Sequence, residues 1–267
     1  MEVIIKELNN FVQFEEIARL QKEIWHLDER DIISTITLKA LTMQYPIMGL
    51  VLGAYSNEKM VGFVVCLPTR EAQTLYGLIM GILPEFQNTE VGNKLGIKVL
   101  EKCLKQGVNK ICWTYDPLES LHAHLYLNKW GAVVVKYEQN YYQLSDKQSN
   151  KVPMDRFIVD CSMVSNRVIE RINQKVVPPS VLEAKKLYPV ATADFMPTEK
   201  AVLVEIPSNF NQLLKSHLQQ AIDYRLKTRK IFEEYINGRS YFITKMYSEE
   251  INGVRHSFYL LEKRSYL

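Results

Sequence analysis

The sequence predicts an α/β protein with a mixed central sheet flanked by helices, followed by a smaller α/β section. Three observations carry this. Between Gly49 and Leu83 three apolar runs follow one another with short polar breaks, the pattern of antiparallel strands joined as hairpins. Val91, Leu95, Val99 and Cys103 then recur every four residues with lysines between them, which is an amphipathic helix. Beyond it, short apolar runs alternate with a second helical stretch, as in a strand–helix–strand crossover.

The elements follow in order. Val3, Ile5 and Glu7 begin a short alternating strand that Asn9-Asn10 breaks. Phe14, Ile17, Ala18, Gln21, Ile24 and Trp25 have helical spacing. A second helix is predicted over 28–43, stopped by Pro46. Gly49–Tyr55 and Met60–Leu67 read as strands joined by Ser56-Asn57-Glu58-Lys59, and Thr74–Leu83 as a third. The amphipathic helix ends at Gly107, the usual place for a glycine that takes a left-handed backbone. Ile111–Tyr115 is a strand, Leu118–Lys129 a helix stopped by Gly131, and Ala132–Tyr137 and Arg156–Met163 are strands.

The remainder begins with Val177-Pro178-Pro179-Ser180, a linker or rigid turn. Ala201–Ile206 is a strand. Ser208 is placed to cap a long helix over 209–236, with Leu213, Leu214, Leu218, Ala221, Ile222, Arg225 and Leu226 on one face and Asn237-Gly238 at its end. Lys215, Arg225, Lys227, Arg229 and Lys230 read as its solvated side. Tyr241–Met246 and Ser257–Leu261 alternate like paired strands around Asn252-Gly253. The expected division is one domain over 1–165 and an α/β extension over 166–267, which fits a 267-residue chain of about 1.8 average domains.

Composition narrows the function classes. Apolar residues make up 47% and charged ones 24%, the ordinary globular range, so disorder is excluded. With 33 basic and 30 acidic residues the net charge is +3, too balanced for the basic stripe of a nucleic-acid binder. No apolar run approaches the ~20 residues of a membrane helix. Met1–Glu7 lacks the apolar core of a signal peptide, so the cytoplasm is the expected compartment. Cys66, Cys103, Cys112 and Cys161 are scattered without a C-x-x-C pair, which argues against zinc. His122 and His124, two apart on a predicted helix, do not face each other, so no metal is expected there.

The chemistry-bearing stretch is Leu83-Pro84-Glu85-Phe86-Gln87-Asn88-Thr89-Glu90-Val91-Gly92-Asn93-Lys94. A strand ends, a polar turn follows, and a helix starts beside a glycine. Unpaired N–H groups at a helix start carry partial positive charge and suit phosphate oxygens. The segment resembles the acyl-CoA pyrophosphate loop of the GNAT superfamily of N-acyltransferases, Q/R-x-x-G-x-G/A, with Gln87 first and Gly92 last. Ala123-His124-Leu125-Tyr126-Leu127-Asn128-Lys129-Trp130-Gly131-Ala132 resembles the later GNAT element A-x-x-Y-x-K-x-G-F. The blocks Trp113–Leu118 and Val202–Pro207 resemble a group of predicted GNAT acetyltransferases with a C-terminal extension.

The resemblance implies a GNAT-like fold in which acetyl-CoA or another acyl-CoA binds where two parallel strands splay apart, and a small-molecule amine attacks the thioester directly. Ile82, Leu83, Gln87, Asn88, Thr89, Val91, Gly92, Asn93 and Lys94 would hold the acyl-CoA. Tyr126 takes the position of the acid that protonates the CoA thiolate; the other reading of it is aromatic packing. Asp116 or Glu119, just beyond a strand's C-terminal end, would take the amine's proton, and the competing reading is helix capping by Asp116 or Ser120. Tyr76 lies on the strand before the loop, and core packing is its expected role. Glu90 stands where the motif has its middle glycine. There it either complements the helix dipole or repels the phosphates, and the second possibility supports an alternative reading as a catalytically silent acyl-CoA or metabolite sensor. The acceptor would be an amine such as an amino acid. The extension would close the acceptor side or make a homodimer contact.

Overall fold

The structure is a computed structural model and describes residues 2–43, 49–142, 152–173 and 180–264. Two expected features, the stop at Pro46 and the Val177-Pro178-Pro179 turn, lie outside the described residues. The chain forms two compact units, one of residues 1–113 and 162–164, the other of residues 114–161 and 165–267.

In the first unit, β1 (Ile4–Glu7), β2 (Leu50–Ser56), β3 (Lys59–Pro68), β4 (Thr74–Ile82) and β5 (Lys110–Tyr115, whose last two residues belong to the second unit) lie side by side in that order. The first three pairings are antiparallel, and β4 with β5 is parallel. The β2–β3 turn puts Asn57 at φ 47° and Glu58 at φ 65°, a left-handed pair whose twist suits a two-residue hairpin. The helix α1 (Phe11–Trp25) starts with a reciprocal cap: the Gln13 N–H donates to Asn10 Oδ1 at 3.1 Å, and the Asn10 N–H to Gln13 Oε1 at 3.4 Å. It buries Phe14, Ile17 and Leu20 completely. Gly81 permits the close approach of α1 to β4, since a Cβ there would meet the Trp25 ring at 2.5 Å. The helix expected over 28–43 is shorter. A 3-10 turn over Glu29–Asp31 precedes α2 (Thr35–Leu41), because the Ser34 hydroxyl accepts from the Thr37 N–H and starts the helix there.

The amphipathic helix α3 (Val91–Lys105) forms as expected and ends before Gly107 at φ +73°. Its face Val91, Leu95, Val99 and Cys103 is buried. Cys66 and Cys103 are buried thiols, both pushed up by burial, the second to about 12, so they behave as small hydrophobes.

The second unit carries β6 (Val133–Glu138), β7 (Arg156–Ser162), β8 (Val190–Ala191), β9 (Ala201–Ile206), β10 (Tyr241–Ile251) and β11 (Val254–Lys263), in the spatial order β7-β6-β10-β11-β9-β8. All pairings are antiparallel except β8 with β9. Within this unit β6 is hydrogen-bonded to β10, which joins residues 114–161 to the C-terminal section. The core is aromatic: Phe157 meets Tyr115, Tyr137, Phe232 and Tyr259 with centroids 4.8 to 5.8 Å apart, all in edge contacts.

Several helices depart from expectation. The stretch 118–129 starts at Ser120 as α4 (Ser120–Ala123) and widens into a π-helical segment over His124–Lys129, where the Trp130 N–H reaches back to the Leu125 carbonyl at 3.1 Å. Gly131 follows at φ +76°. Two helices, α5 (Asn166–Asn173) and α6 (Val181–Leu187, capped by Ser180), were not expected. The long helix over 209–236 is broken at His217 into α7 (Phe210–Ser216) and α8 (Leu218–Phe232), and a π-helical turn over Glu233–Gly238 follows. Its cap is Asn209, which accepts from the Gln212 N–H at 3.0 Å, and not Ser208. Finally, Arg225 and Arg229 are not solvated. Arg225 is 1% exposed and paired with Asp116, and Arg229 is paired with the fully buried Asp155.

Candidate active site

The first unit supplies a strand–turn–helix. The parallel ladder of β4 and β5 runs from Thr74–Lys110 to Gly77–Trp113, and β4 continues past it through Ile82. Where the ladder ends β4 also carries a bulge: Val65 and Cys66 of β3 face Ile79 and Gly77, leaving Leu78 as the extra residue. A 3-10 turn over Pro84–Phe86 leads to the loop. Asn88 takes φ 58°, and the Thr89 hydroxyl donates to the Phe86 carbonyl at 2.6 Å while lying 3.4 Å from the Val91 N–H. These local bonds fix the entry into α3, so its first-turn N–H groups point along the axis out of the helix start. Gln87, Asn88, Thr89 and Lys94 are exposed, Asn93 is half-buried, and Leu83, Val91 and Gly92 are buried. The Gln87 amide donates to the Ile82 carbonyl at 3.0 Å. Glu90 Oε2 accepts from Asn93 Nδ2 at 2.9 Å, so its carboxylate is drawn back across the first turn.

The second unit gathers the acid and base candidates within one segment. Asp116 accepts from the Leu118 N–H at 2.8 Å through Oδ1 and from Arg225 Nη2 at 2.5 Å through Oδ2, so both its oxygens are engaged. The Oδ1 bond closes a turn two residues on and does not cap α4, which begins at Ser120. Ser120 does not cap; its hydroxyl donates to the Ser208 carbonyl at 2.6 Å. Glu119 precedes α4, and its side chain does not cap the helix. Its carboxyl is pushed up to about 7, first by burial and then by the nearby Asp116 charge; Arg225, Arg156 and a hydrogen bond with Asn211 pull the other way. A carboxyl with that balance exchanges its proton near neutrality.

Tyr126 is 7% exposed and lies among rings: Tyr115 at 5.3 Å, Trp130 at 5.1 Å and a stacked His122 at 5.6 Å between centroids. Packing and proton donation are both open to it, because burial pushes its phenol up to about 12 and keeps it protonated. The surrounding protein and the Arg156 charge push the His122 imidazolium down to about 4, so this ring is neutral at pH 7. His124 turns to another partner, its Nδ1 lying 3.2 Å from Asn128 Nδ2. Tyr76 is half-buried on β4.

The sequence profile of the acetyltransferase (GNAT) family matches residues 12–131. Residues 12–131 form a GNAT acetyltransferase domain. The class is that of N-acetyltransferases, enzymes that draw the acetyl group from acetyl-CoA. Two solved structures agree on the fold. The ribosomal-protein-S18-alanine N-acetyltransferase of Escherichia coli is 14% identical, with a TM-score of 0.50, over 65% of this chain and 99% of that one. A probable acetyltransferase from Staphylococcus epidermidis ATCC 12228 is 13% identical, with a TM-score of 0.50, over 60% of this chain and 99% of that one. No curated protein matches the chain in sequence.

The GNAT domain contains every residue expected at the site. Nothing in the sequence pattern marks their supports Arg156 and Asn211, and Arg225 reads there as solvated. A signal existed for Arg225, which falls four residues after Ala221 on the apolar face of its helix. Among the described residues no group of His, Cys, Asp and Glu could hold a metal ion, and no helix is long and apolar enough to cross a membrane.

Proposed function

We propose that the chain transfers an acetyl or other acyl group from acyl-CoA to the amine of a small molecule such as an amino acid, with Glu119 as base and Tyr126 as acid. The exposed loop before α3 would take the pyrophosphate, with the helix start and Lys94 supplying positive charge. The carrying observation is that Glu119 and Tyr126 lie seven residues apart in one segment and that burial raises both, the carboxyl to about 7 and the phenol to about 12, so just above neutrality the first is charged while the second still holds its proton. Above about pH 7 the Glu119 carboxylate takes one proton from the incoming ammonium. The nitrogen then forms the new bond to the thioester carbon as the carbon–sulfur bond breaks. The Tyr126 hydroxyl gives its proton to the departing thiolate, and the second proton shed by the nitrogen restores the phenol.

The amino-acid class is supported by Arg156. Its Nε and Nη2 lie 3.3 and 3.4 Å from the Thr114 hydroxyl and carbonyl, and it is paired with no carboxylate among the described residues. Its charge reaches Glu119, His122 and Tyr126. A guanidinium so placed suits a carboxylate on the acceptor.

Free-thiol release from acetyl-CoA with a panel of amino acids and their carboxamides tests the reading. Turnover should favour the acids. Glu119→Gln should lower kcat/KM by about 10²–10³ and Tyr126→Phe by about 10–10², the range of general acid–base help. Absence of turnover with every amine, while CoA binds, would remove the enzyme reading.

A further inference from the structure

The chain continues well beyond residues 12–131, the stretch matched by the family profile. Elements of that continuation are tied to the segment that carries Glu119. Tyr259 of β11 donates to the Pro117 carbonyl at 2.9 Å and pairs with the Tyr115 hydroxyl at 3.3 Å. The Ser120 hydroxyl reaches the Ser208 carbonyl before α7. Asn211 of α7 bonds Glu119 itself. The strongest of these ties comes from α8, where Arg225 holds Asp116 at 2.5 Å, while its guanidinium lies over the Phe210 ring at 4.9 Å.

Arg225 is buried to 1% exposure, and its Nε and Nη1 have no hydrogen-bond partner among the described residues. Asp116 is its one ion-pair partner among the described residues. The other Asp116 oxygen fixes the Leu118 N–H, and the Asp116 carbonyl accepts from the Glu119 N–H at 3.1 Å. Arg225 therefore acts on the start of α4 at one remove.

We propose that Arg225 is a positioning residue for acyl transfer, acting through its ion pair with Asp116 to hold the turn that presents Glu119. This rests on the reading of Glu119 as base. The pair also divides the field at Glu119. The charged and polar groups that face it are Asp116 on its own turn, Arg225 from α8, Arg156 from β7, Asn211 from α7 and Tyr259 from β11. Asp116 favours the protonated carboxyl, and Arg225 and Arg156 favour the carboxylate. Removing one member of the pair should move Glu119 one way and removing the other should move it back.

The test follows the Glu119 carboxyl by 13C NMR titration of the full chain, its signal assigned by its loss in Glu119→Gln. It also follows the acidic limb of kcat/KM against pH with acetyl-CoA and the best amine. Arg225→Met should raise the midpoint by at least half a pH unit and lower kcat, leaving KM for acetyl-CoA unchanged. Asp116→Asn should lower the midpoint. Arg225→Lys, which keeps the charge, should hold it near the wild-type value and carries the test if Arg225→Met does not fold. Shifts of the same sign in Arg225→Met and Asp116→Asn, or no shift in either, would overturn the proposal. If the NMR midpoints move as stated but Glu119→Gln keeps full activity, the base reading fails and with it the positioning role. If Glu119→Gln loses activity and the midpoints do not move, the positioning role fails alone.

Discussion

The loop before α3 and the turn before α4 solve different problems with different parts of the chain. The loop is exposed and fixed by neighbours within a few residues: Thr89 on Phe86, Gln87 on Ile82, Glu90 on Asn93. The turn is half-buried and fixed by residues far away in sequence, with Arg225 109 residues from Asp116 and Tyr259 142 from Pro117. Phosphate recognition needs open access and backbone N–H groups, which a local motif supplies. Tuning a carboxyl needs desolvation and fixed charges around it, which only tertiary packing supplies. The loop should accordingly tolerate substitution with small changes in ligand affinity, and the surroundings of the turn should respond with losses of stability.

The largest loss is expected at Asp155, the buried anchor of the unit that holds the turn. Its carboxylate accepts from Arg229 at 2.6 and 3.0 Å, from the Asn140 N–H at 3.0 Å and from the Tyr137 hydroxyl. Burial alone would raise its pKa, but these bonds and the Arg225 charge hold it below the usual range. Asp155→Ala leaves the Arg229 and Tyr137 donors without their acceptor and should cost about 3–5 kcal/mol in urea unfolding. Because the native carboxyl is depressed, its contribution is present above the unfolded value of about 4 and lost as pH falls below it. The difference between wild type and variant should shrink in acid; a constant difference would mean that cavity formation, not the ionised network, carries the loss.

Glu119 should show the opposite pH sign and a smaller effect. Its native pKa is raised to about 7, so the folded state holds the proton more tightly than the unfolded chain does. Its contribution is full below about 4.5 and is lost as pH rises toward 7. Glu119→Gln, which has no charge to desolvate, should therefore gain on wild type by about 2 kcal/mol between pH 5 and pH 8. Denaturant midpoints at the two pH values decide it. Equal midpoint differences at both would show that the carboxyl is not desolvated.

This contrast also explains what the sequence reveals. The hairpins are readable because alternation and local turn chemistry coincide at Asn57-Glu58 and Asn252-Gly253. The helix α3 is readable from Val91 to Gly107 for the same reason. The loop residues from Gln87 to Lys94 are adjacent in sequence, so a motif finds them. The break at His217 is hidden, since leucines continue at helical spacing across it, and Leu218 and Leu226 prove exposed at 40% and 48%. Arg225 and Arg229 read as solvated because charge is the stronger local signal. Only the positions of Asp116 and Asp155, 109 and 74 residues away, convert them into buried pairs. Likewise Glu119 and Asp116 are equal candidates in one dimension, and only tertiary packing gives Asp116 its Arg225 partner and Glu119 its burial and its bond with Asn211.

The smallest effect is expected at Glu90, where the loop departs from its motif. Two charges ~5 Å apart interact by about 3 kcal/mol at an effective dielectric of 20. Glu90 is exposed, however, and its carboxylate is turned back to Asn93 at 2.9 Å. Solvent-exposed charges keep only about 0–1 kcal/mol of such an interaction. Glu90→Gln keeps an oxygen for the Asn93 bond and removes only the charge, so it isolates repulsion from backbone freedom. CoA affinity measured by calorimetry should rise by about two- to fivefold at low salt, and the gain should fade once the Debye length drops to about 8 Å near 0.15 M. Glu90→Gly adds the backbone freedom of the motif's glycine and should exceed Glu90→Gln only if close approach of the chain to phosphate limits binding. Identical affinities for wild type and Glu90→Gln at low salt would mean that the bond to Asn93 already removes this carboxylate from the phosphate field.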